Sequence, residues 1–357
     1  MKATARRVDN LDACAERLRQ GGLVAFPTET VYGLGAHALD EQACLRIFEA
    51  KERPLTDPLI VHVAENDRAF ALWAATGTER GVIERLTTTF WPGPFTLVAM
   101  AAPHVPSVLM AGTGYVACRN PAHPTARLLL TKAAIPIAAP SANKFGHVSP
   151  TTAQHVYDDL QNEDVWIVEQ EGVLQVGVES TVAKLDATVD PMELTVLRQG
   201  AVSMEDLRQA LTNLPVVVQS KNRATAENVA NVAPGQNIRH YSPNTPSFLI
   251  SEACASAPDM SLLKDAVVID VGRRLASWES HCLAYRDLSA SGDSSEAARS
   301  VFDTLRWAEQ VQDASRIFFP ELPAETQDAL LLAVKDRLTR AASGVVIQAL
   351  SDCTITK

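Results

Sequence analysis

The chain lacks any Cys-x-x-Cys pair, and its six cysteines, Cys14, Cys44, Cys118, Cys254, Cys282 and Cys353, lie far apart. Neither a zinc site nor a disulfide framework is signalled, so reduced thiols in a cytosol are the expectation. No uninterrupted apolar run reaches the ~18 residues that a membrane-spanning helix requires. The most apolar region, PFTLVAMAAPHVPSVLMAG, is broken by Pro103, His104 and Pro106. The opening stretch MKATARRVDNLDACAERLRQGG carries acids and has no apolar h-region, so a signal peptide is not expected and the reading is cytoplasmic, with no membrane partner. A Walker A loop, a GxGxxG fingerprint and an HExxH motif are all missing, which rules out ATP binding of the P-loop type. Val178-Glu179-Ser180-Thr181-Val182 is no GxSxG elbow, which disfavours a serine hydrolase. A cationic excess is missing too. With 32 Lys and Arg against 42 Asp and Glu, the net charge is −10, which argues against non-specific nucleic-acid binding by the whole surface but leaves room for a local basic cleft.

What is present is ordinary globular composition, 46% apolar and 21% charged, in a chain of 357 residues, for which two domains are the natural expectation. Residues 10–20 read as a helix capped by Asn10, with Leu11, Cys14, Ala15 and Leu18 on its apolar face. Leu-Val-Ala-Phe at 23–26 reads as a buried strand that Pro27 ends, and Tyr-Gly-Leu-Gly after it reads as a binding loop. A helix over 40–51 capped by Asp40, a strand over 59–63, a helix over 78–90 and a strand over 95–100 follow. Further strands are expected at 115–118, 135–138, 165–168, 181–184 and 194–197, with helices at 151–160 and 203–213. This is an α/β pattern with a mixed sheet. QSKNRATAENVANVAPGQNIRHYSPNTP reads as a linker, after which strands at 247–250, 266–271 and 316–319 and helices at 294–310 and 325–342 form a small α/β domain. The expected division is 1–213, a linker or lid at 214–246, and 247–357.

Several stretches carry two readings each. Lys51-Glu52-Arg53-Pro54 is a common helix stop, and equally a point charge plus a planar fork suited to phosphate. In Leu-Ile-Val-His-Val, alternation puts Leu59, Val61 and Val63 on one face and Ile60 and His62 on the other; His62 is either a satisfied strand histidine or a site residue. Ala139-Pro140-Ser141-Ala142-Asn143 is turn chemistry or a polar lip at a strand's carboxyl end. Ser149-Pro150-Thr151-Thr152 is a helix cap or a set of hydroxyls aimed at phosphate. Arg239-His240-Tyr241 belongs to a docked linker or to a lid that folds over a ligand.

The strings FPTETVYGLGA, KERPLTDPLIVHV, FWPGPFTLV, APSANKFGHVSPT, VGVESTV and VLRQGAV occur in one order between residue 21 and about residue 200. Together they closely resemble the YrdC-like domain of threonylcarbamoyl-AMP synthases. APGQNIRHYSPNTP and the segment after it resemble the linker and C-terminal domain of the two-domain members. The resemblance implies a YrdC-like twisted mixed sheet with flanking helices around a basic concave cleft, plus a smaller Rossmann-like α/β C-terminal domain. It implies synthesis of L-threonylcarbamoyladenylate from L-threonine, bicarbonate and ATP with release of pyrophosphate, Mg²⁺ accompanying the triphosphate. Downstream tRNA threonylcarbamoyl-transfer machinery is the implied partner, and direct tRNA contact is left open.

Carried over by matching motif, Thr30, His62, Arg119 and Ser180, with the backbone near Ala139, are the implied L-threonine contacts, Arg119 pairing with the carboxylate. Lys51, Arg53, Ser141, Asn143, Ser149 and Arg198 are the implied nucleotide contacts, with Lys51 and Arg53 on phosphates, and Tyr241 is the implied linker residue that closes on the nucleotide. No protein metal ligand and no protein nucleophile is implied. Three positions depart from the family pattern: Asp57 where Asn is common, Tyr115 where a small hydroxyl residue is usual, and Gln199 where Pro is usual. An acid at 57 is expected to repel phosphate unless it meets Mg²⁺ or solvent. Two rivals share the domain: a non-enzymatic RNA-binding module, and the carbamoyltransferases of hydrogenase maturation, whose cysteine zinc fingers this chain lacks.

Overall fold

The computed structural model describes residues 4–169, 172, 174–220, 231–233, 241–256, 259–323 and 326–353. Arg239 and His240, singled out in the linker, lie outside the described residues. The chain divides into two compact units, one comprising Met1–Phe145 with Ser149–Asn237, the other Gly146–Val148 with Ile238–Lys357.

In chain order the first unit contains β1 (Arg6–Val8), α1 (Leu11–Arg19), β2 (Leu23–Pro27), β3 (Tyr32–His37), α2 (Glu41–Lys51), β4 (Ile60–His62), α3 (Asn66–Phe70), α4 (Gly77–Phe90), β5 (Phe95–Met100) and β6 (Tyr115–Arg119). It continues with α5 (Pro124–Ala133), β7 (Ile137–Ala138), α6 (Ala153–Leu160), β8 (Val165–Val168), β9 (Thr181–Asp186), β10 (Met192–Arg198), α7 (Met204–Ala210) and β11 (Val216–Ser220). The strands form one mixed sheet of 11, in the order β1-β8-β2-β3-β7-β4-β6-β5-β9-β10-β11. Local chemistry sets the helix boundaries. The Asn10 carboxamide oxygen accepts from Ala13 N–H at 3.0 Å, and the Asp40 carboxylate accepts from Gln42 and Ala43 N–H. Alternation in β4 is as expected: Leu59, Val61 and Val63 enter the main core, while Ile60 joins a separate cluster with Val98, Ala117 and Val182.

Two expectations are corrected. Tyr32-Gly-Leu-Gly is not a loop but part of β3, an antiparallel partner of β2. Its glycines serve close packing: a Cβ on Gly35 would sit 2.8 Å from the Phe26 ring and 2.9 Å from the Ile137 side chain. Within the stretch read as spacer, Val216–Ser220 is a strand, paired in parallel with β10.

The second unit holds β12 (Ser247–Ile250), α8 (Glu252–Ser256), β13 (Ala266–Asp270), β14 (Ala284–Asp287), α9 (Ser294–Gln310), β15 (Arg316–Pro320), α10 (Ala329–Ala341) and β16 (Val346–Ile347). Its strands pair in parallel, in the order β14-β13-β15-β12-β16, a sheet of the open α/β kind. All six cysteines are free thiols. Among the described residues no helix is long and apolar enough to cross a membrane.

Candidate active site

The last residues of two adjacent parallel strands, His62 of β4 and Arg119 of β6, are register partners. Both side chains are buried, and the strands hold them at the same level of the sheet. Arg119 uses three parts of its guanidinium: Nη1 donates to Thr30 Oγ1 at 2.9 Å, Nη2 to Glu29 Oε1 at 2.7 Å, and Nε to the Gly93 carbonyl at 3.3 Å. Thr30 Oγ1 also meets Thr28 Oγ1 at 2.8 Å, and Thr28 closes the turn by donating to the Val31 carbonyl. Burial, and then the neighbouring Arg119 charge, push the His62 imidazole down to about 3, so it is neutral at physiological pH. His62 Nδ1 has no hydrogen-bond partner among the described residues. Burial opposes ionisation of Glu29, yet the Arg119 charge and hydrogen bonds outweigh it and hold that carboxyl below its ordinary range.

Beside this group, Ser180 Oγ meets Thr96 Oγ1 at 2.7 Å, and Arg198 donates to both the Ser180 hydroxyl and its carbonyl at 3.1 Å. This approach depends on Gly200, where a Cβ would fall 2.3 Å from the Thr181 nitrogen. Ser149 Oγ donates to Glu179 Oε1 at 2.6 Å, so Glu179 and Ser180 place a carboxylate and a hydroxyl in succession.

A second constellation gathers Lys51, Ser141 and Asn143. Lys51, at the end of α2, donates its ammonium to the Ser141 carbonyl at 2.6 Å and to the Asn143 carbonyl. Burial, and then the Arg53 charge, hold the Lys51 ammonium well below its ordinary range. Arg53 pairs with Asp57 at 2.9 Å and donates to the Asp57 and Pro58 carbonyls. Asp57 is buried away from solvent and meets Arg53, with Asn231 Nδ2 at 3.4 Å. Burial pushes the Asp57 carboxyl up while the Arg53 guanidinium pulls against it.

Ala139 follows β7, whose Ile137 pairs with His62 of β4, and Tyr115 opens β6, the strand that Arg119 ends. The Ala139 N–H is engaged with the Ile60 carbonyl at 2.8 Å. Tyr115 is half-buried, with the Lys184 ammonium 3.7 Å from its ring centroid. Tyr241 lies in the second unit with positive φ, its ring 5.3 Å from Phe302 and 5.4 Å from the Arg337 guanidinium. Glu29, Thr96 and Glu179 are the polar residues that sequence reasoning missed. A signal existed for Glu29: an acid inside the apolar stretch AFPTETVYGLGA calls for a buried cation. Among the described residues, no group of three or more His, Cys, Asp or Glu side chains could hold a metal ion.

With this geometry in place, comparison with known proteins is specific. A family model described as "Telomere recombination" matches residues 16–200, and one described as "Threonylcarbamoyl-AMP synthase, C-terminal domain" matches residues 202–343. The threonylcarbamoyl-AMP synthase of Pyrococcus abyssi is 36% identical over 334 residues, covering 93% of each chain. That of Bacillus subtilis is 33% identical over 342 residues, covering 94% of this chain and 93% of the relative. The crystal structure of P. abyssi Sua5 complexed with L-threonine matches with a TM-score of 0.81 at 33% identity, covering 97% of this chain and 99% of that one.

Proposed function

This chain belongs to the threonylcarbamoyl-AMP synthase family, and from that premise we propose how its buried polar groups carry out the synthesis of L-threonylcarbamoyladenylate from L-threonine, bicarbonate and ATP. Arg119, Thr30, His62 and Ser180, with the backbone at Ala139, form the L-threonine site. The guanidinium takes the carboxylate, the two hydroxyls fix orientation, and the neutral imidazole offers an acceptor that leaves the charge balance unchanged. Lys51, Arg53, Ser141 and Asn143, with Ser149 and Arg198 from the neighbouring Ser180 group, form the nucleotide site, with Asp57 and Tyr115 as further contacts.

The reaction needs little from the protein beyond charge and placement. The threonine ammonium gives up a proton to solvent, and the amine attacks the carbon of bicarbonate with expulsion of water, or that of CO₂ with loss of a second nitrogen proton; either route forms an N–C bond and leaves an N-carboxylate. A carboxylate oxygen then attacks the α-phosphorus of ATP; the new O–P bond forms as the bond to pyrophosphate breaks. Both partners are anions, so cations that neutralise them in a dry site lower the barrier, and holding them in line supplies the rest. Lys51 and Arg53 fill the first role. The release of Lys51 from the carbonyls of Ser141 and Asn143 makes its charge available to phosphate. Mg²⁺ would arrive with the triphosphate and share in neutralising its charge, while Asp57 is engaged by Arg53. Other enzymes then transfer the threonylcarbamoyl group to tRNA.

The observation that carries this reading is the pair of separate buried constellations within one unit, one built around Arg119 and one around Lys51. Incubation with ATP, Mg²⁺, bicarbonate and each amino acid in turn, with mass analysis of adenylates, tests it. Threonylcarbamoyladenylate and pyrophosphate are expected with L-threonine and only when every substrate is present. Equal turnover with unrelated amino acids would overturn the assignment.

A further inference from the structure

The Glu29–Arg119 ion pair is unusual in its completeness. It is buried, 2.7 Å long, and built from the residue next to Thr30 and the register partner of His62. We propose that Glu29 receives the α-ammonium of the amino-acid substrate, the pair opening so that a zwitterion enters with its carboxylate on Arg119 and its ammonium on Glu29. This rests on the threonine site argued above and adds to it a residue that reads the amine.

Each partner is held by groups other than its counter-ion. The second Glu29 oxygen accepts from His123 N–H at 3.3 Å, and the Glu29 carbonyl accepts from Val176 N–H at 2.8 Å. Arg119 retains Thr30 and Gly93. Opening the pair therefore leaves both charges in place, facing a gap of their own making. A buried charge without a counter-charge is costly, so the pair separates readily only for a ligand that supplies both signs. The local charge count agrees. Glu29 and Arg119 sum to zero, His62 is neutral, and Glu179 and Arg198 beside Ser180 add one charge of each sign. A zwitterion keeps that sum at zero, whereas an α-hydroxy acid leaves one negative charge unanswered.

The test compares L-threonine with 2,3-dihydroxybutanoate, in which a hydroxyl replaces the ammonium, by calorimetric titration of the full chain without ATP. Wild-type protein is expected to favour threonine by roughly 30-fold or more, and Glu29→Gln to lose most of that preference by weakening threonine selectively. Glu29→Asp keeps the charge and is expected to keep the preference, which preserves the test should the Gln variant fail to fold. Equal weakening of both ligands in Glu29→Gln would mean that Glu29 merely holds Arg119, and would overturn the proposal while sparing the threonine site. Wild-type affinity for the hydroxy acid equal to that for threonine would overturn it as well. Unchanged threonine affinity in Arg119→Ala would remove the threonine site itself, and the proposal with it.

Discussion

His62 and Arg119 end neighbouring parallel strands in register, and the neutral imidazole is a consequence of that placement. Burial first and the Arg119 charge second depress His62 from 6.5 to about 3. In this window the unfolded chain binds a proton that the folded chain refuses. The contribution that His62 makes to stability is therefore complete above about pH 6.5 and is lost as pH falls toward 3. His62→Gln should flatten this dependence, by up to about 1.4 kcal/mol per pH unit for the single proton. Urea unfolding of both proteins across the window measures it, and identical slopes would mean that His62 takes up its proton in the folded state.

Lys51 holds two backbone carbonyls and is argued to hold phosphate. Replacement by Met keeps the apolar stem and removes the ammonium. The Ser141 and Asn143 carbonyls then lose a donor, for an expected stability loss of about 1–3 kcal/mol. Adenylate formation should fall by roughly 100-fold or more, because the charge facing the phosphates is gone. Thermal unfolding and pyrophosphate release read the two effects separately. A folded Lys51→Met protein with wild-type turnover would exclude Lys51 from the chemistry.

How far the sequence could be read depends on the range of the interaction involved. Asn10, Asp40 and the alternation around His62 act over a few residues, so their elements were legible. β3 was not, because Gly33 and Gly35 suit a turn by local rules; what reveals them as strand residues is pairing with β2 and close packing from elsewhere in the chain, Ala139 against Gly33 and Phe26 and Ile137 against Gly35. Val216–Ser220 was hidden for a like reason, since its pairing with β10 is set by tertiary contact rather than by the polar segment that follows. At the site, the motif order pointed to Thr30, His62, Arg119 and Lys51, but their partners were invisible. That Arg119 faces Glu29, and Arg53 faces Asp57, is a fact of geometry: the first pair joins positions 90 residues apart.

The Arg53–Asp57 pair suggests a variant that should improve the protein. Asp57 cancels a positive charge that the phosphates would otherwise use. Asp57→Asn keeps an acceptor near Arg53 while removing the negative charge, and should tighten ATP binding by about tenfold, near 1.4 kcal/mol. The gain should shrink with added salt. Competition titrations with ATP at low and high ionic strength measure it. Weaker binding would show instead that Asp57 is needed to orient Arg53.

Tyr241 offers a case in which packing and function must be separated by the choice of variant. Its ring lies against Phe302 and Arg337, so Tyr241→Ala would remove core volume at a cost of about 3–5 kcal/mol and confuse the two roles. Tyr241→Phe retains the ring and deletes only the hydroxyl. If the hydroxyl contacts the nucleotide, the ATP KM should rise about fivefold, the worth of one hydrogen bond, with the threonine KM and thermal midpoint unchanged. An unchanged ATP KM would reduce Tyr241 to a core residue of its own unit.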